Sequence, residues 1–451
     1  MLSAFGLIGG LALLIYLTIR GVNILIAGPI AAAIVAATSG LAWLPPLAAD
    51  GAPDFATAYM NGFTSFFGSW FLMFLLGAIF GEIMGTSGAA ASVAHWIIEK
   101  IGIKYAVLAV VAACAVLTYG GVSVFIVSFS VYSLAVHLFR EANLPRRFIP
   151  ATMAFGSVTF TMTTAGSPEI QNLIPMPFLG TTAYAAWEVS LVVALFMAVT
   201  GYIWLNWMVK RAVSRGEAFV GRETDDVASD FSALPSPVLC LLPLAAVLGV
   251  FMIFQYPQEL GAFSAILPDQ SLGKWALVAA LGAGSVIALF IGMRKHAEMP
   301  AAFSRGATGA VVAITNTCAV VGFGSVAKLS PAFQEALIMV QSIPGSPLIG
   351  AAVAVTVIAG LTGSASGGQT IALPLIAPHY LDAGANPDQL HRIVAISSGA
   401  LDSLPHNGYV VTTIRAICGE THKDAYGAVG ALTVVVPVVG TIIAVVLFML
   451  F

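Results

Sequence analysis

Two glycine-rich runs, TYGGVS (118–123) and TGSASGGQT (362–370), each split a greasy stretch of this chain in its middle. Two more polar breaks follow them in the same order: TTAGSPEIQN (163–172) after the first and DSLPHNG (402–408) after the second. In lipid an unpaired backbone N–H or C=O costs several kcal/mol. Broken backbone at membrane depth is therefore tolerated only where it is buried in protein or lines a wet cavity. A matching pair of such breaks in two halves of a chain points to a transporter's binding site.

The surrounding composition sets the class. Of the 451 residues 59% are hydrophobic and 9% charged, against about 25% charge in a soluble domain. This is the make-up of a polytopic membrane protein with room for about ten spans of about 20 residues. The first positive charge, Arg20, follows the first apolar core, which predicts a retained first span with its N-terminus outside. Cys114, Cys240, Cys318 and Cys418 are lone residues in apolar surroundings, read as small buried hydrophobes. No GxSxG, HExxH, CxxC or Walker-type loop occurs, so the sequence offers no catalytic residue, metal site or nucleotide. The spread of basic residues over loops gives no nucleic-acid face.

Hydropathy predicts spans near 4–19, 22–41, 63–85, 183–209, 236–256, 272–293, 303–326 and 427–450, with interrupted spans near 148–180 and 391–418. The stretches 104–138 and 347–381 are too long for one span and too short for two, and read as re-entrant hairpins. The longest polar run, near 210–234, divides two halves that share one order: three spans, hairpin, broken span, span. Five crossings per half invert the second half. The expected fold is thus all-α and polytopic, with a first inverted repeat at 1–210, a cytoplasmic linker at 211–234 and a second inverted repeat at 235–451. GAIFGEIMGTSGAA (77–90) and VGFGSVAKLSPAF (321–333) are a faint echo of duplication.

Charge placement orients this scheme. One side carries 15 of the 18 Lys and Arg residues, and the other carries Lys274 and Arg392 among five aspartates. The basic side is expected to be cytoplasmic. That puts both termini in the periplasm of an inner-membrane protein.

The hairpin tips and breaks supply the candidate site. A small carboxylate needs donors without much fixed positive charge, and half-helix N-termini provide them. Thr118, Gly121 and Ser123 at one tip, and Ser364, Ser366 and Gly367 at the other, are small enough for close approach. Helix packing is the alternative, since Gly363 and Gly367 form a GxxxG. Asn172 and Asn407 close the two breaks and suit a substrate hydroxyl or carboxylate. His406 suits a substrate carboxylate. Glu169 and Asp402 are the candidate ion-coupling groups, because ionisable groups inside spans are expensive; structural hydrogen bonding is the alternative for each. The other histidines, His391 among them, read as loop or flank residues. With no arginine expected in the site, a short hydroxylated monocarboxylate fits better than a polyanion. Proton symport is the expected coupling and Na⁺ its rival.

FLLGAIFGEIMGTSGAAASVA (74–94), TYGGVSVFIVSFSVY (118–132), LTGSASGGQTIALPLIAP (361–378) and SSGALDSLPHNGYVVTT (397–413) together resemble the gluconate permease (GntP-type) family of the ion transporter superfamily, over essentially the whole chain. SPEIQN and DSLPHNG are more similar to the branch called D-β-hydroxybutyrate permeases. Tyr119, Gly120 and Gly121 stand where the gluconate-type branch carries a glutamate. The resemblance implies a secondary symporter of small organic acids. It also implies an elevator-type scaffold and transport domain, and a homodimer. 3-Hydroxybutyrate is then the expected substrate, with gluconate or another sugar acid as the alternative.

Overall fold

Backbone that cannot bond to water inside a bilayer must close its own ladder, and the computed structural model is helical accordingly. It describes residues 2–49, 51–222, 234–255, 272–341, 343 and 345–450. Part of the expected linker, 223–233, lies outside the described residues.

The first half holds α1 (Leu2–Ile19), α2 (Ile24–Ser39), α3 (Phe55–Thr86), α4 (Ala89–Ile101), α5 (Ala106–Tyr119) and α6 (Val124–Glu141). It continues through α7 (Ile149–Ala154), a π-helical turn (Phe155–Thr159), α8 (Met176–Leu179) and α9 (Trp187–Ser214). The second half holds α10 (Pro237–Gln255), α11 (Trp275–Ile291), α12 (Met299–Ala327), α13 (Pro331–Gln341), α14 (Pro347–Thr362), α15 (Ala365–Asp382) and α16 (Pro387–Ser398). It ends with α17 (Gly408–Val411), a second π-helical turn (Thr412–Ile417), α18 (His422–Gly430) and α19 (Val436–Leu450). Six helices among the described residues are long and apolar enough to cross a membrane, and α1, α2, α11 and α14 are shorter apolar helices.

Both glycine-rich runs are helix–helix corners. TYGGVS separates α5 from α6 and TGSASGGQT separates α14 from α15. Gly121 has φ +88° and Gly363 φ +61°, a region open to glycine at little cost. Ser364 caps α15 by accepting the Gly367 N–H at 3.1 Å, and Asn407 caps α17 by accepting from Val410 N at 2.9 Å.

Two helices lie outside the hydropathy reading. The amphipathic α4 meets the Ile103–Tyr119 segment at 102°, and α13 sits at the matching place before the second hairpin. Each of the echoing segments 77–90 and 321–333 runs from the end of a third span into one of these short helices. Packing follows the duplicated order. The long helices α3 and α12 lie against each other; α2 packs on α12 and α11 on α3. Each hairpin closes on itself, and α9 packs on α19. The hairpins reach the central pair through small residues. A Cβ on Gly81 of α3 would fall 2.8 Å from Ile126 Cγ1 of α6, and one on Gly324 of α12 would fall 2.2 Å from Ile371 Cδ1 of α15.

Candidate functional site

Each break is held by its own hairpin tip. In the first half Tyr119 Oη donates to Ala165 O at 2.6 Å. A Cβ on Gly121 would lie 3.5 Å from Pro168 and 3.0 Å from Val247 of α10, so this tip touches both the break and a neighbouring span. In the second half Asn407 Nδ2 donates to Gly363 O at 3.0 Å. The His406 ring lies so close to Gly363 that a Cβ there would meet its Cδ2 at 2.5 Å.

The two breaks also meet each other. A Cβ on Gly399 would lie 3.2 Å from Thr163 Cγ2. Gln369 of the second hairpin donates through Nε2 to Gln171 O at 3.1 Å and to Ser398 Oγ at 2.8 Å. No hydrogen bond among the described residues that the structure records joins Thr118 or Ser123 directly to Ser364 or Ser366; the tips are connected through the breaks. Two open cavities, of about 420 Å³ and about 530 Å³, lie away from the tips: one beside Glu82, Ser130 and Arg305, the other beside Thr181, Trp187 and Asp388.

Several expectations change here. Asn172 and Asn407 do not offer free amides. Asn172 Nδ2 donates to the carbonyls of Met162, Thr164 and Ser167 at 3.2, 3.0 and 3.2 Å. Asn407 is spent on the tip carbonyl and the helix cap. A segment without its own ladder must have its carbonyls satisfied by side chains, and these amides do that work. Gly367 packs, with a Cβ there 3.1 Å from Val320 of α12. Ser364 Oγ is occupied by the cap and lies 3.3 Å from Ser366 Oγ.

The groups that remain open are different ones. Thr118 Oγ1, Ser167 Oγ, Gln171 Oε1, Gln369 Oε1 and His406 Nε2 are buried and have no hydrogen-bond partner. Glu169 is half-buried, and no hydrogen bond or ion pair to its carboxylate is recorded among the described residues. Asp402 is 6% exposed and accepts from Ser403 Oγ at 2.9 Å. Ser123 begins α6 without a side-chain cap bond and is half-buried.

The largest correction concerns Arg392, expected on an outer flank with no arginine in the site. It is 0% exposed. Its Nη1 donates to Thr163 O at 2.8 Å and Asn172 Oδ1 at 2.7 Å, Nε to Ala185 O at 3.0 Å, and Nη2 to Ala183 O at 3.0 Å. His391, expected at a flank, is also fully buried, with Nδ1 2.6 Å from Thr181 Oγ1. The signal for both was NPDQLHR (386–392): an Asn cap with Pro at the first helical position starts α16 at Pro387 and puts position 392 inside the helix.

A second polar cluster ties the same elements together at the basic-rich side. Arg146, 6% exposed, pairs with Glu420 at 3.1 Å, and donates to Cys418 O and Tyr132 Oη. Arg222 reaches Glu420 at 3.0 Å from the linker. Arg147 forks onto Glu217 at 2.7 and 2.9 Å, and that hydrogen bonding holds the Glu217 carboxyl below its usual range. Among the described residues no group of His, Cys, Asp and Glu forms a metal-binding cluster.

Comparison with known proteins gives the context. No family model matches the sequence. The chain is 34% identical over 453 residues to the uncharacterized transporter YxjC of Bacillus subtilis (strain 168), covering 94% of each. Its fold is similar to the crystal structure of the Alcanivorax borkumensis YdaH transporter, described as having an unusual topology. The TM-score is 0.57 at 13% identity, over 97% of this chain and 98% of that one.

Proposed function

The chain belongs to the transporter family of YxjC and is a multi-pass membrane transporter rather than an enzyme, and on that premise we propose that it is a secondary symporter importing a small hydroxylated monocarboxylate with protons. The resemblance of SPEIQN and DSLPHNG to the hydroxybutyrate permease branch makes 3-hydroxybutyrate the first substrate, with gluconate or another sugar acid second. The observation that carries the reading is the set of orphaned polar atoms at the breaks. Thr118 Oγ1, Ser167 Oγ, Gln171 Oε1, Gln369 Oε1 and His406 Nε2 are buried without partners, and a buried polar group left unpaired costs about 1–3 kcal/mol. A ligand carrying both a hydroxyl and a carboxylate supplies donors and acceptors to such a set. Glu169 and Asp402 are the coupling groups in this reading, and Asn172 and Asn407 shape the site without touching substrate.

Two inverted repeats, with boundaries at 1–210 and 235–451, support an elevator in which hairpins and breaks form the moving part. The scaffold of such an elevator is the part that would pair two copies into a homodimer. Orientation in the inner membrane, with periplasmic termini, rests on the charge bias. Counterflow in proteoliposomes tests the substrate, with labelled 3-hydroxybutyrate challenged by gluconate, citrate and a neutral sugar. Preference for citrate or the sugar over every monocarboxylate refutes the proposal. Accumulation that follows a sodium gradient and ignores a proton gradient refutes the proton coupling.

A further inference from the structure

Arg392 carries the next step, which rests on the transporter reading above. A guanidinium stays charged at every pH a cell meets. Here it is 0% exposed, on α16 of the second half, and it donates into the first half at Thr163 O, Asn172 Oδ1, Ala183 O and Ala185 O. Asn172 in turn holds the carbonyls of Met162, Thr164 and Ser167. The segment that carries Glu169 and Gln171 is therefore hung from one buried cation. Bonds to carbonyl and amide dipoles orient that charge and leave it uncancelled, so neutrality inside the transport unit must come from elsewhere.

The titratable groups around it can be counted. On its own helix lies His391, bonded to Thr181, and Asp388 and Glu188 nearby are exposed to solvent. From the first hairpin comes Tyr119, within electrostatic reach. The breaks contribute Glu169, Asp402 and His406. With both imidazoles neutral, the empty unit is neutral when one of the two carboxylates is ionised and the other protonated. A bound monoanion takes over as the counter-charge, and neutrality then needs one further monovalent cation: a proton on the second carboxylate, or a sodium ion beside it.

We propose that Arg392 is a positioning residue and the fixed counter-charge of the binding site, suspending the first break and setting loading at one monovalent cation per monoanion. The loaded and empty units then both cross the membrane uncharged. Without Arg392 both carboxylates rest protonated, and a loaded monoanion moves as a net negative charge with no cation required.

The test uses the full chain in proteoliposomes, with labelled 3-hydroxybutyrate and gluconate as probes and an imposed membrane potential. Wild type is expected to show uptake indifferent to potential and a cation-to-substrate ratio of one. Arg392→Lys keeps the charge and loses the fork, so the ratio stays and KM rises about tenfold. Arg392→Gln is expected to raise KM about a hundredfold, with residual uptake accelerated by an inside-positive potential. Asn172→Asp sets a neutralising charge against the guanidinium and keeps its acceptor, and it is expected to share that potential dependence should the Gln variant fail to fold. A folded Arg392→Gln protein with wild-type KM and no response to potential overturns the inference. So does an Arg392→Lys protein whose ratio changes as the Gln variant's does, since the fork alone would then matter. Wild-type transport with an unaltered Gln variant refutes this inference alone; a wild type that carries neither acid refutes the functional reading and this inference with it.

Discussion

Replacing Gly363 by alanine should uncouple the second hairpin tip from its break. Two costs add. The position has φ +61°, and a left-handed residue with a Cβ costs about 1–2 kcal/mol. The new methyl would lie 2.5 Å from His406 Cδ2 and 2.6 Å from Nε2, so the ring must retreat by about 1 Å to reach ordinary contact at about 3.5 Å. His406 is 7% exposed, and overpacking at a buried site costs about 1–3 kcal/mol. The sum is about 2–5 kcal/mol against the docked tip, and about 2 kcal/mol already means roughly thirtyfold in an equilibrium. Gly384 is the control: its φ is +85° and nothing lies within 4 Å of its missing Cβ, so Gly384→Ala carries the backbone term alone, away from the site. Counterflow with purified variants should show Gly384→Ala near wild type and Gly363→Ala reduced at least thirtyfold, with Gly363→Ala/His406→Ser recovering part of the loss. Transport by Gly363→Ala within threefold of wild type would refute the close docking of tip and imidazole.

Asn407→Ala should weaken substrate binding by about 1–3 kcal/mol by orphaning Gly363 O. Asn407→Ser keeps the helix cap and loses only the tip bond, so equal effects in titration calorimetry would deny the tie any role. Tyr119→Phe removes the bond to Ala165 O and should cost about 1 kcal/mol, read as a fivefold rise in KM; no change would mean the first tip is held by packing alone. Glu217 has a depressed pKa in the folded protein, so its contribution is present above the unfolded carboxylate pKa and is lost as pH falls through the folded one. Melting curves at falling pH should therefore converge for wild type and Glu217→Gln, by a small amount because the pair is solvent-screened; a gap that widens toward acid would reverse the sign of the argument.

The hairpins and breaks were legible because glycine, serine and proline interrupt apolar runs that lipid would otherwise keep as unbroken helix. The helices α4 and α13 were not, since AHWIIEKI and PAFQEALI mix apolar and charged residues and read as loops when hydropathy is averaged over a window. Arg392 was missed for a related reason: an averaged window moves every arginine near a span end into a loop, whereas its carbonyl acceptors come from a segment more than two hundred positions earlier in sequence. The amide roles of Asn172 and Asn407 were half legible. Their placement at the ends of the breaks was visible, but whether an amide faces ligand or backbone depends on which carbonyls the broken chain leaves orphaned, and no spacing rule reports that.

The paired glycine contacts have a mechanical consequence. Ile126 rests on Gly81 and Ile371 on Gly324, hydrocarbon on bare backbone at both points. Such a seat has no rotamer to rearrange and no polar bond to break at its centre, so leaving it forfeits only dispersion. Along α3 the next glycines lie four residues away on either side, at Gly77 and Gly85, which is about one helical turn and about 6 Å of travel. A hairpin displaced along this face would find its next seat after that distance and meet a ridge of side chains in between. Friction between the two bodies would then be notched, with rests about one turn apart, and filling a single notch with a methyl group should jam the hairpin at one stop.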